Sequence, residues 1–258
     1  MSEPNILVTE ADGIGTITLN RPQVMNALSQ TMRVEMAQAL EGLQGRVRCI
    51  VLTGAGRAFC SGQDLVDAKA LGAVDFERIL NEEYVPLLRL ITECPVPVIA
   101  AVNGAAAGAG ANLALACDVV IATESASFIQ AFTRIGLIPD AGGTHWLPRQ
   151  IGLARAMGAA LFAEKISARQ AAEWGMIWEV ALDADFADVV AARAAHLASG
   201  PTVAYQALKQ ALRGSFELDL AGALALEAKL QGRCGATEDF AEGVAAFLEK
   251  RAPRFQGR

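Results

Sequence analysis

The sequence predicts an α/β fold, and three observations carry that expectation. Short apolar runs alternate with stretches of helical periodicity as far as about residue 180. Each apolar run leads into a glycine-rich turn or a polar stretch. Beyond residue 185 the strand signal fades, and four helical segments follow one another to the end of the chain.

The elements read in order as follows. "ILVTEADGIGTITLN" predicts two strands around Asp12-Gly13, a dipeptide suited to a tight hairpin turn. "SQTMRVEMAQALEGL" predicts a helix with Ser29 as its N-cap and Met32, Met36, Leu40 and Leu43 as its apolar stripe. "CIVLTG" is a short buried strand. "FERILNEEYVPLLRLITEC" is helical and stops before Pro95. "VPVIAAVNG" and "DVVIAT" are further apolar strands. In "SARQAAEWG", Ser167 and Gln170 have capping-box spacing and Gly175 closes the helix. The four C-terminal helices fall in "FADVVAARAAHLASG", "TVAYQALKQALRG", "ELDLAGALALEAKLQG" and "TEDFAEGVAAFLEKR". The last places Phe240, Val244, Phe247 and Leu248 on one face. The composition shift near residues 185–200 predicts a core over residues 1–195 and a helical segment over 196–258.

Composition narrows the function classes. The 258 residues are 53% hydrophobic and 19% charged, which describes a globular chain with a sizeable core. A net charge of −6 argues against nucleic acid or an anionic membrane as partner. The richest apolar stretch, "VPVIAAVNGAAAGAGANLALACDVVIA", is interrupted by Asn103, Asn112 and Asp118, so no membrane span is expected. "MSEPNILVTE" lacks the basic and apolar regions of a secretory signal. Cys49, Cys60, Cys94, Cys117 and Cys234 are odd in number and show no CxxC spacing, which predicts reduced thiols in a cytoplasmic protein. His145 and His196 are the sole histidines and lie far apart in sequence, so no metal site is expected.

Two glycine-rich segments follow apolar strands: "GAGRAFCSGQDL" (54–65) and "NGAAAGAGANLALACD" (103–118). Neither completes G-x-G-x-x-G, neither has a Walker lysine, and G-x-S-x-G is absent. The residues alone leave two readings open. The small side chains pack a helix against a strand, or they let two peptide N–H groups approach one carbonyl oxygen and stabilise charge developing on it. A third stretch, "RIGLIPDAGGTHW" (134–146), ends an apolar run on Asp140. That carboxylate is either a turn or cap residue before a helix, or an acid–base group.

"LTGAGRAFCSGQDL", "AAVNGAAAGAGANLALACDVVIAT", "IGLIPDAGGTHWLPRQIG" and "EDFAEGVAAFLEKRAPRF", in this order, resemble the enoyl-CoA hydratase/isomerase, or crotonase, superfamily over essentially the whole chain. The resemblance implies a crotonase-like spiral of ββα units with a C-terminal helical trimerisation segment, and hence a homotrimer or a dimer of trimers. It implies an acyl-CoA thioester as substrate and no separate cofactor, because coenzyme A is part of that substrate. By motif, the oxyanion-hole N–H groups would be those of Ser61 and Ala109. The substrate pocket would be edged by Ser61, Gly62, Gln63, Asp64, Ala109, Asn112 and Phe132.

Hydratases of the superfamily carry two glutamates that hold the attacking water. The corresponding positions here are Asn112 and Phe132, neither of which transfers a proton at neutral pH. Asp140 is then the carboxylate that the resemblance assigns to catalysis. "AGAGANLAL", "AFTRIGLIPDAGGTHWLPR" and "EWGMIWEV" most resemble the branch that isomerises 1,2-epoxyphenylacetyl-CoA to oxepin-CoA in phenylacetate degradation and shifts a 3,4 double bond to the 2,3 position. An acyl-CoA isomerase is therefore expected. Two alternatives stand beside it: a hydratase-like or dehalogenase-like hydrolase on the same fold, and a catalytically silent acyl-CoA-binding protein. Arg21, and Lys250 or Arg251, are candidate cations for the coenzyme A phosphates, though each reads more readily as a solvated surface charge.

Overall fold

The computed structural model describes residues 4–65 and 75–258. Strand β1 (Ile6–Ala11) pairs antiparallel with β2 (Ile14–Leu19). Asp12 and Gly13 between them both have positive φ, 52° and 75°, the geometry of the expected two-residue turn. Helix α1 (Gln30–Leu43) starts where predicted, with Ser29 Oγ accepting from the Met32 N–H at 3.2 Å.

Three successive units then repeat one pattern. β3 (Cys49–Gly54) and β4 (Ala58–Cys60) are followed by α2 (Phe76–Ile79), a π-helical turn over Leu80–Tyr84, and α3 (Val85–Thr92). β5 (Val98–Val102) and β6 (Ala105–Ala107) are followed by α4 (Ala109–Ala116). β7 (Val119–Thr123) and β8 (Ser127–Ile129) are followed by a 3₁₀ turn, Ala131–Ile135, and α5 (Gly143–Phe162). Then come β9 (Ile166–Ser167), α6 (Ala168–Glu173) and β10 (Glu179–Ala181).

The first strand of each unit joins a six-stranded sheet in the order β1-β2-β3-β5-β7-β10, and the second joins a four-stranded sheet in the order β4-β6-β8-β9. Apart from the β1–β2 and β8–β9 pairs, neighbours are parallel. This is the spiral of ββα units that the sequence implied. The short strands β4, β6, β8 and β9 are not apparent in the sequence, because two or three residues are too few to display a period of two.

Alternation along the large sheet divides the core. Ile50, Leu52, Val98, Ala100, Val102, Val120 and Ala122 face the main cluster around α1, α3 and α4. Cys49, Val51, Ile99, Ala101 and Ile121 face the other way, against Ala194 and Ala198 of α7 (Phe186–Ala198). Burial on both faces is why these strands read as continuous apolar runs. The boundary expected between residues 195 and 196 falls inside α7, which covers one face of the sheet and runs unbroken through it.

Helices α8 (Thr202–Gly214), α9 (Leu220–Gly235) and α10 (Glu238–Glu249) complete the chain. Asp118 anchors α8 through Lys209 Nζ at 2.6 Å and Arg213 Nη2 at 2.9 Å. Arg48 donates to Thr202 Oγ1, Phe255 O and Gly200 O. Buried Asp239 accepts from the Gln256 and Gly257 N–H groups, which pins the C-terminal tail. The predicted stripe on α10 forms, but Phe240, Val244, Phe247 and Leu248 are all exposed, as are Leu208, Leu212, Leu220 and Leu224. Between these helices lies an apolar groove of about 1100 Å³, lined by none of the residues on the turns that follow β4 and β6.

Candidate active site

β4 and β6 are parallel neighbours, so the turns that leave their C-terminal ends lie side by side. At Gly62, φ is +95°, and a Cβ there would come within 2.8 Å of Ala107 O and 3.3 Å of Ala109 N. The two turns therefore meet backbone to backbone, and glycine is required at the crossing. Gly108, with φ 53° and ψ −129°, turns the chain from β6 into α4. The first bond within α4 runs from the Asn112 N–H to Gly108 O at 3.2 Å, so the Ala109 N–H lies outside the helical ladder. It has no acceptor among the described residues.

The second N–H group is not the expected one. The Ser61 N–H donates to Met25 O at 2.9 Å, and Ser61 Oγ to Val24 O. The Gly62 N–H faces the Cys60 sulfur. The Asp64 N–H donates to Leu28 O at 3.2 Å, while the Leu28 N–H donates to Gly62 O at 2.8 Å. These last two bonds form a parallel bridge between Leu28 and Gln63. Because a strand's N–H groups alternate sides, the Gln63 N–H turns away from Leu28. It has no acceptor among the described residues. The Ser61 N–H anticipated as the first donor is thus already engaged, and on this turn the Gln63 N–H is left without a main-chain acceptor among the described residues.

Asp140 lies on the turn into α5. The Gly143 N–H donates to its main-chain carbonyl at 2.8 Å, and the helix N-cap is Gly142, with no side-chain cap bond. The carboxylate is therefore not a helix cap. Its Oδ1 is enclosed and has no hydrogen-bond partner among the described residues. Burial raises the carboxyl to about 6, and the residue's own N–H partly offsets the rise. A carboxyl with a free buried oxygen, held up to about 6 by burial, is equipped to take up and release a proton.

The turns are joined by Asn112, one helical turn beyond Ala109. Its Nδ2 donates to Asp140 O at 2.8 Å, and its Oδ1 accepts from Gln130 Nε2 at 2.8 Å.

A family model for enoyl-CoA hydratase/isomerase matches residues 9–258. The chain belongs to the enoyl-CoA hydratase/isomerase family. It is an acyl-CoA-processing enzyme of that family. A Rhodobacter capsulatus protein named as a probable enoyl-CoA hydratase is 61% identical, over 100% of both chains. The 1,2-epoxyphenylacetyl-CoA isomerase of Escherichia coli is 47% identical, over 95% of this chain and 96% of that one. Among solved structures, one from Mycobacterium abscessus assigned to the enoyl-CoA hydratases/isomerases superposes with a TM-score of 0.92 at 39% identity, covering 98% of this chain and 100% of that one.

Asn112 and Phe132 stand where the resemblance to the enoyl-CoA hydratase/isomerase family places the two hydratase glutamates. Asn112 is fully buried, and both ends of its amide are engaged. It is a strut beneath Asp140 rather than the substrate contact expected from the sequence. Phe132 is buried, with ring carbons 3.7 Å from where a Gly108 Cβ would stand. Asp64, also anticipated at the substrate, is buried in an ion pair with Arg21 at 2.8 Å. Arg21 Nη1 binds Ala27 O as well, so this arginine ties the turn together. Arg251 is committed to Glu242 and Glu249. His145 packs edge-on against Trp146 with ring centroids 4.5 Å apart, and His196 is exposed on α7. Neither histidine lies on the turns that carry Gln63, Ala109 and Asp140.

Sequence reasoning did not single out the free Gln63 N–H or Asn112 as a strut. Both depend on hydrogen bonds to residues distant in the chain, Leu28 and Asp140, so no local signal marks them.

Proposed function

We propose that this enzyme is an acyl-CoA isomerase that uses Asp140 as its acid–base group. The substrates are 1,2-epoxyphenylacetyl-CoA, converted to oxepin-CoA, and 3-enoyl-CoA thioesters, whose double bond moves into conjugation. The observation that carries the reading is the enclosed, unpartnered Asp140 Oδ1, on a turn that Asn112 ties to the helix starting at Ala109, together with Gln63 and Ala109 N–H groups that have no main-chain acceptor among the described residues. In the double-bond shift, the carboxylate takes a proton from C2. The electron pair delocalises into a dienolate whose charge rests on the thioester oxygen, where the two N–H groups hold it. Asp140 then returns the proton to C4, so atoms and charge balance with no net gain or loss of water. The absence of an acidic or basic side chain at 112 and 132 favours this reading over hydration. The 47% identity to an epoxide isomerase supports the choice of acyl group. The second reading, hydration, is favoured by the name of the 61%-identical relative.

We further propose a cytoplasmic homotrimer or dimer of trimers. All five cysteines are unbridged, and the exposed apolar faces of α8–α10 require a partner.

The test is direct. Incubate the protein with epoxyphenylacetyl-CoA, a 3-enoyl-CoA and crotonyl-CoA, and follow product masses. Mass-neutral conversion of the first two with little or no hydration of crotonyl-CoA is expected. Rapid addition of water to crotonyl-CoA with no isomerisation overturns the proposal, and binding without turnover of any thioester marks a silent acyl-CoA-binding protein.

A further inference from the structure

Helix α1 buries an arginine. The Arg33 side chain is 3% exposed, and a cation taken out of water is costly unless every donor is satisfied. Its Nε and Nη2 donate to Glu83 Oε2, the former at 3.0 Å. Its Nη1 donates to Leu28 O at 2.7 Å and to Gln63 Oε1 at 3.0 Å. Its guanidinium stacks over the Tyr84 ring, 4.9 Å from the centroid. The Tyr84 hydroxyl, itself enclosed, donates to the same Gln63 Oε1 at 2.5 Å. The Gln63 amide oxygen thus takes two hydrogen bonds, one of them charge-assisted.

Glu83 and Tyr84 come from the π-helical turn Leu80–Tyr84. Such turns interrupt a helix at a cost and are common at functional sites. Here the wider turn brings consecutive side chains towards one cluster, Glu83 onto Arg33 and Tyr84 onto Gln63.

We propose that Tyr84 and Arg33 are positioning residues: by gripping the Gln63 side chain they fix the Gln63 peptide so that its N–H stays aimed beside that of Ala109. This rests on the isomerase reading above, in which those two N–H groups hold the thioester oxygen. Gln63 has one neighbour on the main-chain side, the bridge to Leu28, and the cluster holds it from the side-chain side. A small misalignment of an oxyanion donor weakens its grip on the transition state far more than its grip on the ground state.

The test uses Tyr84→Phe, which keeps the ring under Arg33 and removes the hydroxyl, and Gln63→Leu, which keeps the peptide N–H and removes the gripped oxygen. Three quantities are read: kcat and KM for 3-enoyl-CoA isomerisation, the carbonyl stretching frequency of a bound non-reacting acyl-CoA, and the melting temperature. In wild type the carbonyl stretch should fall on binding. In both variants that fall should shrink, kcat should drop about 10-fold or more, and KM should change less than about threefold. Tyr84→Phe leaves the Arg33 bonds in place, so its folding should survive and keep the result interpretable. Wild-type kcat with an undiminished carbonyl shift in Tyr84→Phe overturns the positioning role alone. A wild-type protein that neither shifts the carbonyl nor isomerises any thioester overturns both this proposal and the isomerase reading.

Discussion

Asn112 Nδ2 and the main-chain carbonyl of Asp140 meet at 2.8 Å, so the residue at a hydratase glutamate position supports the backbone of the candidate catalytic carboxylate. Removing that side chain takes one of two hydrogen bonds from the Asp140 carbonyl, which keeps the Gly143 N–H, and leaves the buried Gln130 Nε2 without its acceptor. Asn112→Ala should lower stability by ~1–3 kcal/mol, the usual cost of an orphaned buried group, and reduce kcat more than it changes KM. Urea unfolding together with steady-state kinetics checks this. A variant of wild-type stability and turnover would show that the strut is idle.

Asp140→Asn should lose isomerisation by at least about 10²-fold, the low end for an acid–base group, while acyl-CoA affinity survives within a few-fold. The same change should raise stability. Burial lifts the folded-state carboxyl to about 6 from an ordinary value of 3.8. Between those values the unfolded chain loses its proton first, so the folded state binds more protons and stability falls as pH rises through that window. Above it the ionised carboxylate remains a fixed penalty. The neutral amide lacks that penalty, so Asp140→Asn should be more stable at pH 7 by ~1–2 kcal/mol, on the scale of 1.36 kcal/mol per pK unit. It should also show a flatter stability profile between about pH 4 and 6. Calorimetry at pH 4 and pH 7 distinguishes this from a simple loss of packing, which would destabilise at both.

The pH dependence of turnover should report the same group. Proton abstraction needs the carboxylate, and the profile of kcat/KM reflects the free enzyme. It should fall about tenfold per pH unit below about pH 6, with one ionisation. A limb that sits near the ordinary carboxylate value would mean that the pocket does not desolvate Asp140.

Light scattering at micromolar concentration should give a trimer or a dimer of trimers. Phe247, Leu220 and Leu248 are each more than two-thirds exposed in the single chain, and the groove beside them is apolar. Phe247→Glu should dissociate the assembly while leaving the hydrogen bonds around Asp140 and Gln63 untouched. A stable wild-type monomer would contradict the proposal.

The sequence alone was sufficient wherever the deciding interaction is local. The Asp12-Gly13 turn, the Ser29 cap with its bond three residues on, and the strands at 49–54, 98–102 and 119–123 were all legible. Asp140 also stood out, because a carboxylate at the end of an apolar run is conspicuous without any structure. Tertiary structure decided which peptide N–H groups are free. Ser61 and Gln63 lie two residues apart on one turn with small neighbours. They differ because the chain folds Met25 against the first and Leu28 beside the second. Tertiary structure likewise made Asn112, anticipated as a substrate contact, a strut, and Asp140, a possible cap, an enclosed carboxylate with an unpartnered oxygen. A sequence records which groups can donate or accept. Which of them is already engaged depends on partners brought from elsewhere in the chain, and at this site that difference separates the expected donor from the available one.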